Sequence, residues 1–295
     1  MKRKRITVRI LLILILLIST AYSVSYAQNT FLWQVKSKGS TVYILGSVHF
    51  LKKDVYPLSK MIEAAFDKSD FLAVEANIDD VNRLDIQKLL KSAVYMDGST
   101  LDKHVSKKTL DIIKEESDRL EMPVEMFYNQ KPWFLGLTLT SLELVKSGYN
   151  PEYGIDKYFL NKATGKKKVL ELESFDYQLD LLSGFNDDEQ ELFLLYTLKD
   201  IKTLVQEVDN IVDAWKSGAA KRMETIIEKN SIEDRGFIPL YEKLVTNRNR
   251  SITIKIEDSL KTKETYFVVV GAAHLLGPMG IVQLLREKGY VIEQL

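Results

Sequence analysis

Residues 265–274 read TYFVVVGAAH. The first six are aromatic or β-branched with no charge among them after Glu264, the composition of a strand covered on both faces. Gly271 then allows a sharp exit, and Ala272 and Ala273 are small enough to pack behind it. His274 is thereby carried past the strand end, at the sheet edge where open α/β folds place their sites. Residues 41–49, TVYILGSVH, repeat this grammar: an apolar β-run, Gly46, two intervening residues, and His49. Residues 71–75, FLAVE, form a third buried-strand run that ends on Glu75. The three runs are predicted to be neighbouring strands of one sheet, with His49, Glu75 and His274 converging at its carboxyl edge.

Outward from these strands, residues 32–36 (LWQVK) and 41–45 form a hairpin pattern split by Lys38-Gly39-Ser40. Pro57 opens a helix whose apolar positions are Leu58, Ile62, Ala65 and Phe66. Residues 41–75 therefore read strand, loop, helix, strand, a βαβ unit with a right-handed crossover. Residues 83–147 carry helical periodicity, and 154–163 read as helix again. KVLEL at 168–172 is a short strand followed by a helix over 175–182. Residues 187–230 give one or two long helices, with Trp215, Met223, Ile226 and Ile227 on an apolar stripe. A helix over 248–260, a helix opened by Pro278 and running through Glu287, and a terminal strand at 290–292 complete the chain. No solenoid-type repeat is present. The predicted fold class is α/β, its sheet built from the N- and C-terminal segments around a largely helical insertion, roughly residues 83–263.

At 295 residues and 45% hydrophobic composition, the chain can bury one sizeable core. It has no cysteine. Disulfides, thiolate metal sites and a catalytic thiol are thereby excluded. Residues 1–27 combine Lys2, Arg3, Lys4 and Arg5 with an apolar run from Ile10 to Ile18 and the small-residue site Ser25-Tyr26-Ala27. This is the order of parts in a signal peptide. The expectation is cleavage after Ala27, a mature domain over 28–295, a periplasmic or extracellular location, and no membrane association afterwards. The leader holds five basic residues and no acid, so the mature chain has 36 basic against 41 acidic residues, a net charge of −5. That balance gives no reason to expect a nucleic-acid partner, and Lys166-Lys167-Lys168 reads as a solvated turn.

Only three histidines exist. His104 lies in a polar helix boundary, LDKHVSKK, and is read as structural or exposed. His49 and His274, each three residues after a glycine, make with Glu75 a set suited to a divalent metal with positions left open for water and substrate. The same set suits a metal-free site in which one histidine is the general base and Glu75 orients it.

The pair of Gly-x-x-His segments with Glu75 between them resembles the TraB/PrgY/GumN family, which includes the animal Tiki proteins. The resemblance runs over about residues 31–295. It takes in ILGSVHFL, Tyr153-Gly154-Ile155-Asp156, Leu170-Glu171-Leu172-Glu173-Ser174 with Gln178, Asn247-Arg248-Asn249 and, most specifically, VVVGAAHLLGPMGIVQLLREKGY. It implies a fold like that of the erythromycin-esterase and ChaN proteins. It also implies a metal-dependent protease-like site on His49, Glu75 and His274, with Mn²⁺ or Co²⁺ favoured; nitrogen and oxygen ligands suit Zn²⁺ as well. Asp156, Glu173 and Arg248 match family positions whose roles the resemblance leaves open.

Two classes of function follow as expectations. One is a metal-dependent hydrolase, foremost a metallopeptidase with a peptide or protein substrate. In it His49 and His274 are ligands, Glu75 is a ligand or the general base, and Arg248 steadies an oxyanion or binds a substrate carboxylate. A metal-free esterase is its rival within the enzyme class. The other class is a non-catalytic peptide-binding or regulatory module, with Trp133, Phe134 and Trp215 lining a groove in the helical middle.

Overall fold

The computed structural model describes residues 29–77, 85–232 and 236–295, and it is mixed α/β. The leader read at 1–27 and the start of the insertion near residue 83 lie outside these residues. The chain runs β1 (Leu32–Lys36), β2 (Thr41–Ser47), α1 (Lys60–Lys68), β3 (Phe71–Val74), α2 (Ile86–Ala93), α3 (Lys107–Arg119) and α4 (Pro132–Lys146). It continues α5 (Ile155–Ala163), β4 (Lys168–Glu171), α6 (Phe175–Ser183), α7 (Asp187–Asp200), α8 (Leu204–Lys216) and α9 (Ala220–Ile232). The last part is α10 (Ile238–Tyr241), a π-helical turn (Glu242–Thr246), α11 (Asn247–Leu260), β5 (Thr265–Gly271), α12 (Ala272–Leu275), α13 (Ile281–Glu287) and β6 (Val291–Gln294).

The sheet order is β4-β3-β5-β2-β1-β6. β5 lies between β3 and β2 and is parallel to both. The three quoted runs are therefore neighbours, with the C-terminal one in the middle. β1 pairs antiparallel with β2, as the hairpin pattern predicts, and with β6. β4 comes from within the helical middle and closes the opposite edge in parallel with β3. Residues 266–270 are all buried. Phe267 packs against Phe66 of α1 and Phe159 of α5, with ring centroids 5.5 and 4.7 Å apart. Each such side chain taken fully from water contributes about 1.5–3 kcal/mol. The alternate face meets the C-terminal helices, where Leu275 of α12 stands against Gly46.

The helical middle has a core of its own, in which Leu101, Ile113, Phe127, Leu135, Leu139 and Leu194 cluster apart from the sheet. Several boundaries differ from the sequence reading. α1 begins at Lys60, where Ser59 accepts a hydrogen bond from the Ile62 amide, so Pro57 lies in the preceding loop. Likewise α13 begins at Ile281 and Pro278 precedes it. The stretch 187–230 holds three helices, α7, α8 and α9. Gly218, at φ +63°, ends α8 in the left-handed conformation that glycine adopts freely. Trp215 and Met223 thus sit on different helices, both buried in the main core. Trp133 is also buried and its indole N–H meets the Ser92 carbonyl. The Trp215 indole is committed to the Gly46 carbonyl at 2.6 Å. These two tryptophans support the fold and do not line a groove, while Phe134 packs half-buried beside Trp133.

Candidate active site

The ends of β2, β3 and β5 bring three predicted residues to one edge. A Cβ built on Gly271 would lie 3.3 Å from Glu75 Oε1, 3.4 Å from His274 Cδ2 and 3.9 Å from His49 Nε2. Gly271 is the floor of this triangle, and its lack of a side chain keeps the floor open. Its amide donates to Glu75 Oε1 at 2.6 Å. His274 Nε2 stands 3.8 Å from the same oxygen.

Each imidazole is oriented from behind. The ladder from Leu51 to Asn150 and the bond from the Ile155 amide to the Val48 carbonyl lash the His49 loop to the start of α5. Gly154 abuts the His49 carbonyl so closely that a Cβ there would collide with it. This approach puts Asp156, in the first turn of α5, 2.7 Å from His49 Nδ1. The Tyr153-Gly154-Ile155-Asp156 motif is explained by that contact. On the other side, His274 Nδ1 lies 2.6 Å from Asn249 Oδ1. The Asn249 amide nitrogen donates to the Met279 carbonyl at 2.8 Å, which fixes the amide so that its oxygen faces the ring. Asp156 and Asn249 thus present acceptors to both Nδ1 atoms; His274 Nε2 faces Glu75, and His49 Nε2 lies by the Gly271 floor.

The carboxylate side is equally braced. The Leu172 and Glu173 amides extend the β4 ladder to the carbonyls of Val74 and Glu75. Glu173 is thereby set beside Glu75, and Gln178 of α6 donates to both, at 3.0 and 3.3 Å. Arg248 of α11 forks across the pair. Its Nη2 reaches Glu75 Oε2 and Glu173 Oε2, each at 2.6 Å, its Nε also meets Glu173, and its Nη1 bonds the Leu244 carbonyl in the π-helical turn. His104 stays in the helical middle, stacked on Tyr95 and bonded to Ser99, away from this cluster.

The charges follow from these contacts. Burial opposes ionisation of Glu75, but His274, Arg248, His49 and the Gly271 amide outweigh it and hold the pKa at about 2. Burial pushes the His274 pKa down, against the pull of Glu75. A neutral His274 leaves Arg248, His49 and the Gly271 amide as the groups that keep Glu75 charged at neutral pH. Asp156 raises the His49 pKa, against desolvation and with help from Glu75, to about 9. The His49 side chain is 63% exposed, so solvent moderates that pull.

Three carboxylates, Glu75, Glu173 and Asp156, face one guanidinium here, so the site is anionic whenever both imidazoles are neutral. Two imidazoles and a carboxylate are nitrogen and oxygen donors of the kind a divalent ion takes. Among the described residues, no group of three or more His, Cys, Asp or Glu side chains is arranged so as to hold a metal ion. Behind Asn249 lies a cavity of about 300 Å³, walled chiefly by Ile227, Ile238, Tyr241, Leu276, Pro278 and Met279, with Glu228 and Glu242 among its lining residues.

Asn249, which holds His274, lies in the Asn247-Arg248-Asn249 segment of the resemblance, but the sequence alone assigns it no role. Its signal was an Asn inside a helix, next to Arg248, where asparagine is a mediocre helix former.

Known proteins bear on this geometry. The model of the TraB/PrgY/gumN family matches residues 31–294. Among curated proteins, the chain is similar to the uncharacterized protein YbaP of Escherichia coli (strain K12) and to that of Shigella flexneri. Each is 26% identical over 245 residues, covering 83% of this chain and 87% of the relative. No solved structure matches the chain.

Proposed function

The chain belongs to the TraB/PrgY/gumN family, and we propose that it is an exported, divalent-metal-dependent hydrolase acting on peptides or proteins. The observation that carries this reading is the matched pair of imidazoles. Each has Nδ1 occupied by an oxygen acceptor, with its ring brought to the Gly271 floor beside the ionised Glu75. His49, His274 and Glu75 Oε1 would hold the ion. When bound, it would polarise a carbonyl and ease deprotonation of a water. The chain's own part is to fix geometry and charge. Asp156 and Asn249 set the ring orientations, and Arg248 with Gln178 prevents Glu75 from turning away. Arg248 is assigned as this clamp in preference to an oxyanion donor, because its Nε and Nη2 are already committed to carboxylates. The apolar cavity shares the Asn249 wall and would take an aliphatic or aromatic side chain of a peptide.

The His49–Asp156 contact favours a second reading, a metal-free hydrolase in which His49 is the general base oriented by Asp156. Elemental analysis of the purified protein, followed by peptide-library digestion with and without chelator, separates the two. The expected result is about one equivalent of Mn²⁺, Co²⁺ or Zn²⁺ per chain, with cleavage lost on chelation and restored by metal. Cleavage that survives full metal removal supports the second reading. Absence of both metal and cleavage overturns the hydrolase assignment. Export is read from residues 1–27, and N-terminal sequencing of secreted or periplasmic protein should find Gln28 first.

A further inference from the structure

Ser47 is the last residue of β2, two positions before His49, and only 3% exposed. Its hydroxyl oxygen is sealed from solvent and finds no hydrogen-bond partner among the described residues. Buried hydroxyls are nearly always paired, because one left alone forfeits its hydration for nothing. A hydroxyl kept at such a cost is one that meets a partner the folded chain does not itself provide.

The register shows where that partner would sit. β2 and β5 run parallel with Ser47 opposite Gly271. Residues paired in this way project from the same face of the sheet, one strand spacing or about 4.8 Å apart. The direction in which Gly271 would carry a side chain is the floor of the triangle, within 3.3–3.9 Å of Glu75, His274 and His49. Gly46 points the other way, toward Phe31 and Leu275. Ser47 therefore lies under the same floor as Gly271, with the β2 exit leading directly to His49.

We propose that the Ser47 hydroxyl donates a hydrogen bond to the oxygen of the ligand seated over Gly271, a carbonyl- or carboxylate-type oxygen of the substrate. This rests on the reading of the triangle as the site that takes such a ligand. Donation satisfies the buried hydroxyl only when the ligand is present, so the bond contributes to binding and nothing to the stability of the free protein.

The test compares wild type, Ser47→Ala and Ser47→Thr by thermal melting and by calorimetric titration with acetohydroxamate, with and without Mn²⁺. Ser47→Ala should melt at or above the wild-type temperature and bind Mn²⁺ as the wild type does. It should bind acetohydroxamate about tenfold more weakly. Ser47→Thr keeps the hydroxyl and should retain affinity; if its methyl group unfolds the site, Ser47→Cys, a weak donor of similar size, should fall between wild type and alanine. Equal acetohydroxamate affinity in wild type and Ser47→Ala overturns the proposal, as does a Ser47→Ala protein that melts well below the wild type. A wild type that binds acetohydroxamate in neither condition overturns the reading of the site, and the Ser47 proposal falls with it.

Discussion

Asp156 Oδ2 and His49 Nδ1 lie 2.7 Å apart although 107 positions separate them in the chain. The bond fixes the ring and favours a positive charge on it. Replacing Asp156 with Ala should weaken metal binding by about 10- to 100-fold, the usual effect of removing such an outer partner, with little change in melting temperature. In the metal-free protein, His49 should titrate near its ordinary 6.5 once Asp156 is gone, down from about 9. NMR titration of the imidazole resonances checks this, and an unmoved titration would count against Asp156 as the cause.

His49→Ala and His274→Ala should each abolish most metal uptake, because two imidazoles supply most of the softer ligation. Glu75→Gln separates two roles: lost metal marks Glu75 as a ligand, whereas retained metal with lost turnover marks it as the general base. Equilibrium dialysis and turnover on one preparation give both readings.

Arg248 is the single cation between two buried carboxylates, with 11% of its side chain exposed. Arg248→Met should destabilise the fold by about 3–5 kcal/mol, since it strands two neighbouring negative charges. Adding Glu173→Gln to that variant should recover part of the loss. Urea denaturation of the single and double mutants measures it, and a double mutant no better than the single would show that charge stranding is not the mechanism.

Filling the cavity behind Asn249 should alter substrate choice before it alters chemistry. Ile227→Trp occupies part of the roughly 300 Å³. It should reduce cleavage of peptides bearing large apolar residues at the preferred subsite by about tenfold or more. Small-residue peptides should be spared. A uniform loss across the library would place the cavity outside the substrate path.

Glu191 joins α7 to the start of α3, accepting bonds from the Ser106 amide and the Thr109 hydroxyl. Burial works to raise its pKa, but the bonds from Thr109 and Ser106 prevail and hold it below the usual value. A depressed carboxylate pKa contributes stability above the unfolded value of about 4.5 and loses it as the pH falls. The melting temperature of Glu191→Gln should therefore lie below the wild type at neutral pH and approach it in acid. A gap of the same size in acid as at neutral pH would argue that the charge is irrelevant.

The sheet and the ends of its strands were legible because local patterns encode them. Runs such as VYIL and FVVV are too apolar to face water, and a glycine three residues before each histidine marks the strand exit. The partners of those histidines were not legible in the same way. Asp156 and Asn249 matter through contacts that close across 107 and 25 positions, and no periodicity reports such pairings. Pro57 and Pro278 misled the helix boundaries because proline favours a first helical turn. Here the N-cap positions belong to Ser59 and Gly280, each two residues later. The break at Gly218 was visible as a residue, but its role depended on the left-handed backbone that only the folded chain displays.

The central place of β5 has a temporal consequence. β2 and β3 do not pair with each other; the strand that lies between them and joins them begins at residue 265 of 295. A ribosome makes the chain in order, so β2, paired on its other side with β1, and β3, paired on its other side with β4, wait through almost the whole of synthesis for the strand between them. Closing a contact over some two hundred residues is slow compared with forming local helices. The helical layer has its own core and can settle first, while the facing edges of β2 and β3 remain open until the final tenth of the polypeptide arrives. The molecule is therefore inert by construction until it is nearly complete, and a chain cut short before Thr265 would hold His49 and Glu75 without the strand that joins them.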